Sequence, residues 1–177
     1  MTMLLDVAKI REPHLRIDRT DESSVFGTDE DYRILEPVRL VADLRKDHNK
    51  VRIAGRVDTT LELACSRCLE GFRVPVRAPF DLLFLPAASE PALPEQEIED
   101  DDLGTSYYRE GVIDLADVVR EQLSLSLPMK PLCQEGCRGL CPECGTNLNS
   151  GACDCAPRWE DPRLAPLKAL TRTNDDA

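Results

Sequence analysis

The sequence is short of histidine, of aromatic residues and of long apolar runs, and each shortage excludes a class of protein. Its 177 residues include two histidines and 5% aromatic residues. No apolar run approaches the ~20 residues that a membrane-spanning helix needs, so we expect no membrane partner. The first ten residues lack the basic segment that opens a secretory signal, which makes the cytoplasm the expected location. With 42% hydrophobic residues, the chain can still bury a core.

The motifs of the common enzyme families are also missing. The sequence contains no glycine-rich phosphate loop after a strand, no Gly-x-Ser-x-Gly elbow and no His-Glu-x-x-His motif. Its histidines, His14 and His48, lie in polar stretches and are expected to be surface residues rather than catalytic bases. We therefore expect a protein that is not an enzyme and has no small-molecule substrate.

Positive charge is scarce overall but concentrated in the middle of the chain. The net charge is −11, which argues against nucleic-acid binding over the whole surface. Residues 86–110 carry eight acidic residues and one arginine without any hydrophobic period, and we interpret them as a mobile acidic loop. Residues 33–77, in contrast, carry ten basic and six acidic residues.

Three segments in the basic part of the chain alternate apolar and polar residues with a period of two. The segments 38–45, 51–63 and 72–77 each place aliphatic or aromatic residues on one face and two arginines on the other. Their short connections predict an antiparallel meander with one buried face and one solvent-exposed face. Pro75 in the third segment indicates an edge strand or a bulge.

One helix is predicted, over residues 114–127, where apolar residues recur at helical spacing. Asp114 is the expected N-cap and Pro128 ends the helix. Residues 1–10 alternate weakly, which suits a strand, whereas the polar residues 18–33 predict a loop. The expected fold class is α+β: an antiparallel β-sheet, open or barrel-like, with one main helix and a small C-terminal Cys-rich zinc-binding module.

Eight cysteines in a chain without an export signal indicate metal binding, because cytosolic thiols stay reduced. The segment Cys-Pro-Glu-Cys-Gly at 141–145 is typical of a zinc knuckle, and Gly145 allows the left-handed conformation after the second ligand. Four thiolates would leave no open coordination position, so the predicted zinc is structural. The first choice of ligands is Cys141, Cys144, Cys153 and Cys155, and the second choice replaces the last pair by Cys133 and Cys137.

Cys65 and Cys68 form a separate Cys-x-x-Cys pair that allows three interpretations. The first is a thiol redox site in which Arg67 lowers the pKa of one thiol. The second is two small side chains in a turn. The third is half of a second four-cysteine ligand set, completed by Cys133 and Cys137. The expected domains are a sheet-plus-helix domain over 1–127 and a Cys-rich zinc module with its tail over 128–177.

The outer face of the predicted meander is rich in arginine. Because guanidinium groups fit phosphate geometry, this face is a candidate RNA-binding surface that would contact backbone phosphates. No aromatic residue lies among these arginines, so base stacking is not expected. The simpler alternative is a charged face that keeps the sheet soluble. The candidate RNA-binding residues are Arg39, Arg45, Arg52, Arg56, Arg73 and Arg77.

Four blocks of sequence between residues 35 and 170 carry a family resemblance through their order and spacing. They are CSRCLEGF (65–72), IDLADVVREQLSLSLPMKPLC (113–133), CRGLCPECGTNLN (137–149) and DPRLAPLKAL (161–170). Together they resemble the YceD-like family, whose members are called large ribosomal RNA subunit accumulation proteins. The resemblance implies a cytoplasmic bacterial protein that supports accumulation of large-subunit ribosomal RNA, with no established catalytic activity.

With that resemblance, the expected function is a non-enzymatic factor for large-subunit ribosome assembly that binds ribosomal RNA, a basic ribosomal protein, or both. The acidic loop would suit the basic protein. The alternatives are a thiol redox protein centred on Cys65 and Cys68 and a zinc-ribbon interaction module for DNA or the transcription machinery. The overall charge and the lack of a recognition helix count against the zinc ribbon.

Overall fold

The computed structural model describes residues 3–87, 104–155 and 163, which form mainly β-strands. The elements are β1 (Leu4–Asp6), β2 (His14–Asp21), β3 (Arg33–Ile34), β4 (Val38–Asp47), β5 (Lys50–Ala64), β6 (Gly71–Pro86), β7 (Thr105–Tyr108), β8 (Val112–Asp114) and the helix α1 (Leu115–Leu125). Among these residues, no helix has the length and apolar character needed to cross a membrane.

The chain folds into two compact units. The first unit comprises Met1–Cys65 and Glu70–Cys133, and the second comprises Ser66–Leu69 and the chain from Gln134 on. The expected domains divide the chain after residue 127, whereas the compact units divide it after Cys133 and assign the tip of the Cys65 turn to the second unit. The predicted tail after the cysteines lies outside the described residues, apart from Arg163.

A six-stranded sheet forms the body of the first unit, in the order β2-β4-β5-β6-β7 with β3 also paired to β5. The predicted antiparallel meander is present as β4, β5 and β6. β7 is parallel to β6, so the sheet is mixed. Within the described residues the two outermost strands, β2 and β7, do not pair with each other, and the barrel-like alternative is therefore wrong.

The core lies on one face of this sheet, against α1. Inward residues of β4 and β5 alternate with exposed ones, as the period of two predicts. The predicted helix is confirmed over Leu115–Leu125, and Oδ1 of its N-cap Asp114 accepts a 2.8 Å hydrogen bond from the Ala116 amide. Side chains that are almost completely buried include Leu40, Leu44, Ile53, Leu61, Ile113 and Leu123.

Two predicted loops contain strands. Residues 18–21, expected in a loop, are the second half of β2, which pairs with β4 along its whole length. Residues 105–108, within the expected acidic loop, form β7, and residues 88–103 lie outside the described part of the chain. β2 was missed because its alternation is limited to Leu15 and Ile17, and its second half carries polar residues on both faces.

The second unit has little regular structure. Its described residues hold turns and an isolated bridge between Leu140 and Asn147. None of the residues of the main hydrophobic cluster lies in 66–69 or 134–155, where the buried hydrophobic residues are Cys68, Cys137 and Cys141. A segment that buries so little apolar surface needs another source of stability, such as a bound metal ion.

Candidate metal centres and the charged sheet face

The eight cysteines gather into two groups of four, and in each group the Sγ atoms all lie within 4.8 Å of one another. Four thiolates around Zn²⁺ at ~2.3 Å would lie ~3.8 Å apart, so both groups have a suitable donor set and size. Both groups could therefore hold a metal ion. Group A is Cys65, Cys68, Cys133 and Cys137, and group B is Cys141, Cys144, Cys153 and Cys155.

The two groups match two of the sets considered from the sequence. Group B has the same members as the first-choice ligand set. Cys133 and Cys137 lie with Cys65 and Cys68 instead of joining the knuckle at 141–145, as the second choice would require. Group A thus has the membership of the second four-cysteine set. Metal occupancy of either group stays a prediction.

Each group contains a Cys-x-x-Cys turn with the same backbone geometry. In group B, the Cys141 amide donates a 2.8 Å hydrogen bond to the Thr146 carbonyl, and Gly145 has a φ of +73°. In group A, the Cys65 amide donates a 2.9 Å bond to the Glu70 carbonyl, and Leu69 has a φ of +61°. A leucine rarely adopts this left-handed conformation, because it costs conformational energy. The Cys65 turn has the knuckle geometry in spite of that cost.

The thiols of group B differ in acidity. Hydrogen bonds from the side chain and backbone of Thr146 lower the pKa of Cys144 to about 6. The hydrogen bond with Cys144 raises the pKa of Cys155 to about 12. Sulfur atoms packed this closely cannot all be thiolates unless a cation lies among them. The group could therefore hold a metal ion, because thiolates are the form that binds metal.

Arg67 lies at the tip of the Cys65 turn and joins it to the rest of the second unit. Its guanidinium Nη1 donates a 2.8 Å hydrogen bond to the Cys137 carbonyl, and its own carbonyl accepts a 3.1 Å bond from the Leu140 amide. Gly139 allows this approach, since a Cβ there would lie 3.1 Å from the Arg67 carbonyl oxygen. The sequence suggests Arg67 only as a group that acidifies a thiol and gives no signal for this role.

Asn149 is a second residue that the sequence did not single out. Its Nδ2 donates a 3.2 Å hydrogen bond to Sγ of Cys137, and its Oδ1 accepts a 2.8 Å bond from the Arg138 amide. Such donors orient a ligand sulfur and stabilise its charge. The only signal in the sequence is the run Asn-Leu-Asn shortly after the knuckle, which by itself also fits an ordinary turn.

The six candidate RNA-binding arginines all lie exposed on the outer face of β4, β5 and β6. Most of them also bind carboxylates. Arg39 donates to Asp18 at 3.1 and 3.2 Å, and Arg52 donates to Asp81 through two bonds of 2.7 Å. Both Arg56, at 2.9 Å, and Arg77, at 3.2 Å, donate to Asp58. Among the residues the structure describes, Arg45 and Arg73 form no ion pair.

These carboxylates neutralise much of the arginine charge at neutral pH. The hydrogen bonds from Arg52 lower the pKa of Asp81, and those from Arg39 lower the pKa of Asp18. Burial raises the pKa of Asp58, but its hydrogen bonds with Arg56 and Arg77 bring it below the ordinary value. The basic excess counted along the sequence therefore overstates the positive potential of this face.

Comparison with known proteins places these features in a family. The family model described as "Large ribosomal RNA subunit accumulation protein YceD" matches residues 53–171. Large ribosomal RNA subunit accumulation protein YCED homolog 1, chloroplastic, of Zea mays is 30% identical over 157 residues, covering 76% of this chain and 53% of that protein. The protein of the same name in Arabidopsis thaliana is 28% identical over 170 residues, covering 79% and 50%.

A bacterial relative matches over nearly its whole length. Uncharacterized protein YlbN of Bacillus subtilis is 27% identical over 166 residues, covering 86% of this chain and 91% of that protein. The chain spans about half the length of the plant relatives. No solved structure matches it. The family name indicates a role in accumulation of the large ribosomal RNA subunit, and because the family model covers more than half of the residues, this chain belongs to the YceD family.

Proposed function

We propose that this protein supports accumulation of large-subunit ribosomal RNA as a non-enzymatic factor, and that it acts by binding the RNA, a basic ribosomal protein, or both. The family match over residues 53–171 carries the proposal. The matched residues include β6, α1 and all eight cysteines. In cells that lose the protein, we expect the ratio of large-subunit to small-subunit ribosomal RNA to fall. An unchanged ratio would contradict the proposal.

Direct RNA binding is supported by the exposed arginine face of the sheet. Contacts from such a face would go to backbone phosphates, so affinity should fall steeply as salt concentration rises. The test compares binding of purified large-subunit ribosomal RNA to the native chain and to a variant in which Arg52, Arg56, Arg73 and Arg77 are changed to Glu. Equal affinities would remove the direct-RNA version, and co-purification of a basic ribosomal protein would then support the protein-partner version.

We further propose that both cysteine groups bind structural zinc. Four thiolates fill a tetrahedral ion and leave no position for a substrate, so the ion would stabilise the fold around it. We expect about two zinc ions per chain by elemental analysis of the reduced protein. The Cys141→Ser, Cys144→Ser variant and the Cys65→Ser, Cys68→Ser variant should each lose about one. A native value below about half an ion per chain would overturn the zinc assignment.

Burial of the Cys65 turn argues against the thiol redox alternative. Cys65 is fully buried and Cys68 is 4% exposed, whereas a thiol that attacks a substrate disulfide must be accessible. Under native conditions we expect both thiols to resist alkylation until the metal is removed with a chelator. Rapid alkylation of the zinc-loaded protein at Cys65 or Cys68 would favour the redox function instead.

A further inference from the structure

Where two charged residues of the sheet lie directly opposite each other on neighbouring strands, their charges are opposite in every case but one. Arg45 on β4 lies directly opposite Arg52 on β5. Like charges at directly opposed positions destabilise a sheet, because their side chains start about 5 Å apart. The opposite-sign pairs are Arg16 with Asp43, Arg33 with Glu62, Arg39 with Asp58, Asp47 with Lys50, Asp58 with Arg77, and Glu62 with Arg73.

A basic concavity lies over this exceptional row. Its volume is about 360 Å³, and the charged or ionisable residues in its wall are His14, Arg45, Lys46, Asp47, Lys50 and Arg52. His14 extends the row, since it is the β2 partner of Arg45. Four permanent cations and one histidine thus face a single carboxylate, Asp47, in the wall. The wall therefore carries an excess of positive charge, which favours an anion over a cation.

The cations of the wall are held in different ways. Lys46 Nζ donates to the carbonyl oxygens of Val7 and Ile10, at 2.6 and 3.1 Å, which fixes its position. Arg52 is oriented by its two bonds to Asp81. Arg45 and Lys50 are exposed and make no hydrogen bond or ion pair with any described side chain, so both can turn toward a ligand.

A second concavity on the same face provides the contrast. Its volume is about 650 Å³, and its wall contains Arg39, Arg56 and Arg77 together with Asp58 and Glu36. Asp58 accepts hydrogen bonds from Arg56 and Arg77, and Arg39 is bound to Asp18. An anion entering there would have to compete with carboxylates already in place. The two concavities therefore differ in that Arg45 and Lys50 of the basic concavity form no ion pair with a described carboxylate, whereas every arginine of the second concavity does.

We propose that the basic concavity formed by His14, Arg45, Lys50 and Arg52 binds a phosphate group of an RNA backbone. A phosphate there would accept charge-assisted hydrogen bonds from Arg45, whose guanidinium fork matches its oxygens, and from Lys50, while Arg52 stays bound to Asp81. The two hydrogen bonds from Arg52 to Asp81 offset part of the repulsion between Arg45 and Arg52, and a phosphate bound by Arg45 would offset the remainder. This inference rests on the proposed RNA-binding function and narrows it to one end of the sheet.

The test compares two double variants that remove the same charge from the two concavities. Arg45→Gln with Lys50→Gln alters the basic concavity, and Arg39→Gln with Arg77→Gln is the matched control in the second concavity. With a large-subunit ribosomal RNA fragment at ~0.1 M salt, we expect the first variant to lose about tenfold or more in affinity and the control to lose less than about threefold. The slope of log affinity against log salt should also fall by about 1 in the first variant only.

The outcomes distinguish failure of the phosphate site from failure of the proposed RNA-binding function. If the native chain binds the RNA and both variants bind it equally well, the phosphate site is overturned while RNA binding stands. If the native chain does not bind RNA at all, the direct-RNA function fails and the site fails with it. Saturable binding of inorganic phosphate that is lost in the first variant, without any change in RNA affinity, would assign the concavity to free phosphate and overturn the RNA assignment.

Loss of folding is excluded as an explanation by a stability measurement. Because Arg45→Gln removes one member of the like-charged pair, its unfolding midpoint in urea should equal or exceed that of the native chain. A midpoint well below the native value would show that Arg45 has a structural role and would contradict the argument from repulsion.

Discussion

At Gly55 in β5 the sheet has no room for a side chain. A Cβ there would lie 2.3 Å from the Val41 carbonyl oxygen and 2.7 Å from the Cα and Cβ of Ala42 on β4. The backbone of β4 cannot move away without breaking its hydrogen bonds to β5. We therefore expect Gly55→Ala to lower the free energy of unfolding by about 2 kcal/mol, measured by urea denaturation.

Gly71 in β6 is the matched control for this substitution. A Cβ at Gly71 would meet only the side chain of Glu62, at 3.4 Å, and that side chain can turn aside. Gly71→Ala should therefore change the free energy of unfolding by less than about 1 kcal/mol. The change can be an increase, because alanine restricts the conformations of the unfolded chain. If both substitutions destabilise the protein equally, the close approach of β4 at Gly55 does not explain the loss of stability.

The hydrogen bond from Asn149 to the Cys137 sulfur gives a prediction for metal affinity. Removing an N–H donor to a ligand sulfur typically costs 10–100-fold in affinity, so Asn149→Ala should release zinc to a competing chromogenic chelator at about tenfold lower chelator concentration. Ser150→Ala serves as the control, because Ser150 Oγ reaches only the Asn147 carbonyl. Equal zinc retention by the native chain and both variants would show that this hydrogen bond does not support a ligand.

Among the elements, those with a clear period were predictable from sequence and those without it were not. β4 and β5 bury every second residue over long stretches, so alternation located them. Pro75 of β6 lies at an edge, as predicted. β7 pairs with β6 only at Leu83–Pro86, and within the described residues no strand lies beside the rest of β6 on that side. β2 and β7 gave too weak a signal, because the alternation of β2 is limited to Leu15 and Ile17 and β7 has four residues.

The start of α1 can be tested at its cap. Asp114 Oδ1 accepts the Ala116 amide hydrogen at 2.8 Å, satisfying a donor that the helix itself cannot pair. Asp114→Ala should lower the free energy of unfolding by about 1 kcal/mol, whereas Asp114→Asn keeps an acceptor and should cost only a fraction of that. Thermal or urea unfolding of the three proteins measures this. Equal losses for alanine and asparagine would mean that the cap does not stabilise the helix.

For the molecule as a whole, the sequence located one cysteine group better than the other. The members of group B lie close together along the chain, so spacing alone suggested the set. Group A combines a turn after β5 with cysteines that follow α1, and only the folded chain shows that these belong together. The same limit applies to the arginine face, because the carboxylates that neutralise it come from other strands.

The two compact units should respond differently to loss of metal. The first unit has its own hydrophobic core, whereas the described residues of the second contribute none to it. If metal stabilises the second unit, a strong chelator under reducing conditions should make the exposed Arg138 a rapid site of trypsin cleavage, while amides of β4 and β5 stay protected from hydrogen exchange. Adding excess zinc to the chelated sample before trypsin should restore resistance at Arg138. If cleavage there proceeds at the same rate with and without chelator, the hydrogen bonds around Asn149 and Arg67 are enough to hold the second unit, and metal is not its source of stability.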